Sequence, residues 1–302
     1  MTIFPPTLRK GDTIGIMCPA GYMPIQKAEK CIQTLQLWGY KVVVGKTLNS
    51  KSKNYFSGTD KERLAELQQM LDNKEVNAIL FGRGGYGMGR IIDNLNFSSF
   101  KKAPKWLIGF SDITILHQHL LNKYNISSIH GPMAALFNDG KAKSSIIALQ
   151  KTLQGKKQHY KVKSNPSNKQ GNITGVLTGG NLALLCNIIG TLSDFNVKNK
   201  ILFIEDVGEY RYALDRMLWQ IKRSGKLNEI AGLILGEFSD MKDTQRPFGK
   251  SIHSILKEWA AELNCPVCFN FPIGHKSNNF PVKQGAVYSL SINSKSVFLK
   301  EL

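Results

Sequence analysis

Residues 77–87 read Asn77-Ala78-Ile79-Leu80-Phe81-Gly82-Arg83-Gly84-Gly85-Tyr86-Gly87. A short apolar run that ends in a glycine-rich corner predicts a buried strand handing over to a loop. The same pattern recurs on both sides. Upstream, Thr13–Met17 is a strand leading into Cys18-Pro19-Ala20-Gly21. Ile25–Trp38 has helical spacing and stops at Gly39, and Lys41–Val44 is a second strand. Asp60, a favoured N-cap type, opens a helix through Leu71. Downstream, Lys105–Gly109 leads into Phe110-Ser111-Asp112, and Ser127–His130 leads into Gly131-Pro132-Met133. Strands alternating with helices predict a parallel sheet covered on both faces. Ligands of such sheets sit beyond the C-terminal strand ends. Here those ends carry CPAG, GRGGYG, GFSD and HGPM.

This pattern ends near residue 153. Residues 154–171 are polar, basic and poor in large apolar groups, which predicts a linker. Beyond it, strands are expected at Ile201–Ile204, Gly232–Leu235, Val267–Asn270, Val287–Ile292 and Ser296–Leu299. Helices are expected at Leu182–Ile189, Tyr212–Arg223 and Lys250–Leu263. The reading is an α/β domain over 1–153, a linker over 154–171 and a mixed second domain over 172–302.

The 302 residues suffice for two cores, and 42% hydrophobic with 21% charged residues is a globular composition. The stretch Gly171–Ser193 is uncharged, but its five glycines and its Asn and Thr residues exclude a lipid-facing span. Residues 1–17 lack the charged and apolar regions of a secretory signal, so a cytoplasmic protein is expected. Five scattered cysteines give no disulfide framework. Cys265 and Cys268 form a CxxC, but no second pair completes a zinc site. The formal charge of +18 suits acidic partners. The lysines are spread along the chain and no nucleic-acid module is recognisable, so a solvated basic surface is expected. Neither metal, cofactor, nucleic acid nor membrane is expected as a partner.

Gly82–Gly87 has the GxGxxG spacing of a dinucleotide fingerprint. It closes the third strand rather than the first, and no acid ends the next strand. The other functional reading is a backbone loop that offers N–H groups to an anion. Ser111, at a strand-to-helix corner, is either the N-cap of the following helix or a nucleophile held beyond the sheet edge. In the second case the N–H of Asp112 could meet an oxyanion. A serine nucleophile needs a base and an orienting acid. His117 and His119 face different ways on one helix; His159 lies in the linker and His253 on an amphipathic helix. His130 and His275 both end strands. Glu205 and Asp206 both follow a buried apolar run, where a carboxylate is costly unless hydrogen-bonded.

Six segments in order resemble the LD-carboxypeptidase family of serine peptidases, which includes murein tetrapeptide carboxypeptidases and microcin self-immunity hydrolases. They are Leu8–Asp12 with Pro19-Ala20, GRGGYG, GFSD with HGPM, Leu177–Leu182, Glu205–Glu209 with Tyr212 and Asp215-Arg216, and Gly274-His275. The resemblance implies a Ser–Glu–His triad of Ser111, Glu205 and His275. It implies a flavodoxin-like N-terminal domain, a barrel-like α/β C-terminal domain and a homodimer. Backbone N–H groups of Asp112 and of Gly84 or Gly85 would receive the oxyanion, and Arg83 is the candidate for the substrate carboxylate. The implied substrate is a small peptide ending in a D-amino acid, with murein tetrapeptide foremost. The alternatives are an aminoacyl-nucleotide amide, or a nucleotide-binding module without chemistry. The segment after His275 follows the family pattern only loosely.

Overall fold

The computed structural model describes all 302 residues. The first half contains β1 (Thr13–Met17), α1 (Glu29–Leu37), β2 (Lys41–Val44), α2 (Asp60–Asp72), β3 (Ala78–Phe81), α3 (Ser98–Lys102), β4 (Trp106–Gly109), α4 (Thr114–Tyr124), β5 (Ile129–His130) and α5 (Lys143–Leu153). The second contains β6 (His159–Lys163), β7 (Gly171–Asn181), α6 (Leu182–Ile188), β8 (Lys200–Val207), α7 (Arg211–Arg223), β9 (Gly232–Ser239), α8 (Ile252–Ala261), β10 (Val267–Cys268), β11 (Val282–Lys283), β12 (Val287–Ile292) and β13 (Ser296–Glu301).

The first sheet has the order β11-β5-β4-β3-β1-β2. Strands β1 to β5 are mutually parallel, with the flavodoxin-like order 2-1-3-4-5. Strands β3 and β4 are buried along their whole length, as expected of central strands covered on both faces. The strand order reverses between β1 and β3, so the GRGGYG loop leaves the sheet at its switch point. Helix α2 starts with a capping box: Thr59 accepts from the Glu62 N–H, and Glu62 reaches back to the Thr59 N–H. Asp60, expected as the cap, pairs instead with Arg63 and Arg90.

The second sheet is mixed, in the order β10-β9-β8-β7-β12-β13-β6. Strands β7 to β10 run parallel, while β12, β13 and β6 run antiparallel. An antiparallel bridge joins Lys169, just after β6, to Val267 on the opposite edge. The sheet therefore curls toward closure, the barrel-like form expected. Helix α4 of the first unit packs against α6 and β7 of the second. One apolar cluster runs from Phe81, Leu107 and Leu120 through Leu182 and Leu202 to Trp259.

Two segments depart from the expected division. Residues 159–163 of the expected linker form β6, in register with β13. Alternation explains this: Tyr160 is buried while His159 and Lys161 face solvent, so a strand with three basic residues still buries one face. Strand β11, from the C-terminal half, pairs with β5 and extends the first sheet. No helix is long and apolar enough to cross a membrane; the uncharged stretch from Gly171 forms β7 and α6. The five cysteines are buried and free.

Candidate active site

Strand β4 ends at Gly109, and the chain turns sharply through Phe110 into Ser111. Ser111 has φ 62°, the left-handed region that a residue with a Cβ occupies only under strain of order 1–3 kcal/mol. It heads a short 3-10 turn, Ser111–Ile113, ahead of α4. Its side chain caps neither helix, so the N-cap reading does not describe this corner. The strain holds Oγ beyond the sheet edge, as in a nucleophile elbow.

The loop after β3 backs onto this corner. A Cβ on Gly84 would stand 2.9 Å from both Cβ and Oγ of Ser111 and 3.3 Å from the Asp112 nitrogen. Only glycine allows the loop backbone so close. Gly85, with φ 107°, turns toward Gly21 and the Tyr55 hydroxyl. Arg83 is exposed, and its guanidinium donates to the Tyr22 carbonyl at 3.0 Å.

The carboxylates arrive from β8. Its register against β9 shifts between Ile204 and Asp206, and such a bulge re-aims side chains. Glu205 is fully buried, and its Oε2 lies 2.7 Å from Nδ1 of His275. Asp206 turns away. It accepts from Nδ2 of Asn181 at 2.8 Å, from the Ala183 N–H at 3.0 Å and from its own neighbour Val207 at 2.8 Å. It thus serves the start of α6. Burial and the charge of Glu205 raise Asp206 to about 7. Burial pulls His275 down, but the charge and hydrogen bond of Glu205 outweigh it, so His275 titrates above its ordinary 6.5.

Phe110 connects the two groups. Its ring packs edge-on against the His275 ring at 4.8 Å. Phe110, the residue before Ser111, thus brings the serine corner next to the His275–Glu205 pair. Ser111 and His275 are not directly hydrogen-bonded; such contacts are often long until a substrate closes them. His275 is fixed from behind as well, because the Gly274 N–H donates to Oδ1 of Asn279 at 3.1 Å.

The other histidines lie elsewhere. His130 is fully buried between Phe110 and Phe203, and burial drives its pKa well below the ordinary value. His117 bonds Ser128 and the Gly109 carbonyl, and His119 bonds Ser193. His253 reaches Ser167. Sequence reasoning missed Phe110, Asn279 and the buried Arg63. Phe110 carried a signal in its place beside Ser111, but Arg63 looked like one more cation on a helix.

A strained serine corner, a glycine loop pressed against it and a buried carboxylate–histidine pair could support acyl transfer. Both halves of the chain are similar to known proteins. Residues 14–131 match the LD-carboxypeptidase N-terminal domain, and residues 174–290 match the LD-carboxypeptidase C-terminal domain. A probable murein peptide carboxypeptidase of Bacillus subtilis is 33% identical over 300 residues, covering 98% of this chain and 94% of that protein. The microcin C7 self-immunity protein MccF of Escherichia coli is 24% identical over 332 residues, covering 97% and 94%. The crystal structure of muramoyltetrapeptide carboxypeptidase from Oxalobacter formigenes superposes with a TM-score of 0.87 at 28% identity, covering 96% of this chain and 98% of that one. With both of its halves matched in order, this chain belongs to the LD-carboxypeptidase family.

Proposed function

We propose that the chain is a serine carboxypeptidase that cleaves the amide between an L-centre and a terminal D-amino acid. The substrate we favour is a murein tetrapeptide, with D-alanine released during peptidoglycan recycling. The observation that carries the mechanism is the 2.7 Å contact between His275 and the buried Glu205, beside the strained Ser111 corner. Glu205 holds Nδ1–H, so Nε2 is left to act as the base. Ser111 Oγ attacks the scissile carbonyl as its proton passes to Nε2. N–H groups of Asp112 and of Gly84 or Gly85 receive the oxyanion. The intermediate collapses to an acyl-enzyme, and His275 gives its proton to the departing amine. Water, deprotonated by His275, then attacks the acyl carbon; the C–Oγ bond breaks and His275 returns the proton to Ser111 Oγ. Arg83 would hold the terminal carboxylate of the substrate.

The names of the Bacillus and Oxalobacter relatives support the murein substrate. The family resemblance supports a homodimer and a two-domain division near residues 154–171. Five free, buried thiols fit a reducing, cytoplasmic setting. The test is purified protein offered murein tetrapeptide beside an aminoacyl-sulfamoyl adenylate. Release of D-alanine, lost in Ser111→Ala, is the expected result. Faster hydrolysis of the nucleotide amide would reassign the substrate. Turnover of neither, with Ser111 inert to a serine-directed reagent, would overturn the enzyme reading.

A further inference from the structure

One buried charge beside the nucleophile has no part in that mechanism. Asp112 contributes its backbone N–H, yet its side chain is also fully buried. Its Oδ2 accepts the Met88 N–H at 2.7 Å, and the Gly87 amide acts on the same carboxylate. An acid in the first turn of a helix ordinarily serves that helix. Asp112 does not: its bond crosses to the end of the GRGGYG loop, 24 residues away in sequence.

The far side of that loop end is held too. Arg63 on α2 is fully buried and donates to the Gly87 carbonyl at 3.1 Å. The same guanidinium reaches the Pro19 carbonyl and pairs with Asp60. Gly87 is therefore held through its carbonyl by Arg63, and the next amide, the Met88 N–H, is held by Asp112. Three residues upstream, Gly84 rests on Ser111. The contacts close a ring: Ser111, Asp112, Met88, and back along the loop through Gly84 to Ser111. A buried carboxylate is expensive unless paired or hydrogen-bonded. Here it is placed where it fixes the distance between the serine corner and the loop amides.

We propose that the Asp112 carboxylate is a positioning residue that tethers the Gly84–Met88 loop to the serine corner and so sets the oxyanion site. This rests on the reading of Ser111 as nucleophile. A tether of this kind matters most in the transition state, when loop amides must meet a developing charge.

The kinetic test compares Asp112→Ala with Asp112→Asn, each beside wild type. Loss of the tether in Asp112→Ala should lower kcat about 100-fold with KM within about threefold. Asp112→Asn keeps an acceptor for Met88 and should recover much of that loss. A kcat for Asp112→Ala within about threefold of wild type overturns the proposal. So does an Asn variant no better than the Ala variant. If the variants do not fold, the wild-type chain still decides. With methionine nitrogen labelled, the Met88 amide signal should titrate as Asp112, raised by burial to about 6, gains its proton. Arg63 is the charged group facing that carboxylate. A Met88 signal that stays fixed while the Asp112 carboxyl carbon itself titrates overturns the tether. Wild-type protein that turns over neither peptide nor nucleotide amide, with Ser111 inert to a serine-directed reagent, removes the Ser111 reading, whereas an active wild type with an unimpaired Asp112→Ala removes the tether alone.

Discussion

His275 and Glu205 stand 70 residues apart in sequence and 2.7 Å apart in space, with the carboxylate fully buried and the imidazole at the site edge. That difference in exposure sets their division of labour. A dry carboxylate fixes one ring nitrogen, and the ring keeps its other nitrogen for solvent or substrate. A buried acid without a partner would cost several kcal/mol, so the pair also stabilises the loop that carries His275.

Glu205→Gln tests that division. The amide keeps the shape but cannot stabilise an imidazolium. We expect kcat to fall by about 10²–10⁴-fold with KM little changed. Above the His275 ionisation, where the pair's charge contribution is absent, thermal unfolding should stay near wild type. Steady-state kinetics beside a melting curve check both. A kcat within about tenfold of wild type would remove Glu205 from the triad.

The pH dependence follows from the same pair. Glu205 raises His275 above 6.5. The proposed base, His275, works neutral, so kcat/KM should climb with pH through one ionisation on the alkaline side of 6.5. In Glu205→Gln the midpoint of any residual activity should move to lower pH. Stability runs the opposite way. A histidine raised in the folded state adds stability below its unfolded value, and that contribution is lost as pH rises through the folded value. A wild-type activity midpoint below that of the Gln variant would contradict the assignment.

Gly84→Ala tests the close approach of loop and serine. The new Cβ would sit 2.9 Å from Ser111 Oγ, nearer than packed atoms stand. Either the loop or the hydroxyl must shift. We expect kcat to fall by about 100-fold or more, because a small misplacement at reacting atoms is costly. Labelling of Ser111 by a serine-directed reagent should slow in parallel. An unchanged labelling rate would show that the loop yields without disturbing the site.

The strand ends were the legible part of this molecule. CPAG, GRGGYG, GFSD and HGPM follow apolar runs, and a parallel sheet must gather such corners at one edge. Strand β7 was hidden by its glycines. At Gly179 a Cβ would fall 1.9 Å from the Phe203 carbonyl oxygen, so the sheet requires a residue that strand propensity disfavours. Strand β6 was hidden by lysines on its solvent face. The cap of α2 is Thr59 rather than Asp60, because the capping box with Glu62 satisfies two orphan N–H groups together. Local sequence could not choose between His130 and His275, since each follows an apolar run. Their difference lies in what the fold sets beside them: aromatic rings around His130, and a carboxylate against His275. The bond from Asp112 to Met88 was beyond reach, because it joins the ends of two strands through a hydrogen bond with no sequence signature.

Asp206 provides the contrast to Glu205. The two are neighbours on β8 and both are buried, yet Asp206 spends its oxygens on Asn181, Ala183 and Val207. Its task is the start of α6, not the imidazole. Asp206→Asn should therefore keep kcat within about tenfold of wild type. It should lower stability by about 1–3 kcal/mol, because the amide turns one acceptor into a donor that faces another donor. The pH dependence of that loss is the sharper test. Burial and Glu205 raise Asp206 to about 7, so between its ordinary value and neutrality the folded chain holds a proton that the unfolded chain has released. More protons on the folded state mean that stability falls as pH rises across that window. The amide introduced by Asp206→Asn does not titrate, so the variant lacks this slope. The melting-temperature gap between wild type and variant should be widest near pH 5 and should narrow toward pH 8. A gap that widens with pH would mean that Asp206 is charged throughout, and that its hydrogen bonds outweigh both burial and the repulsion of Glu205.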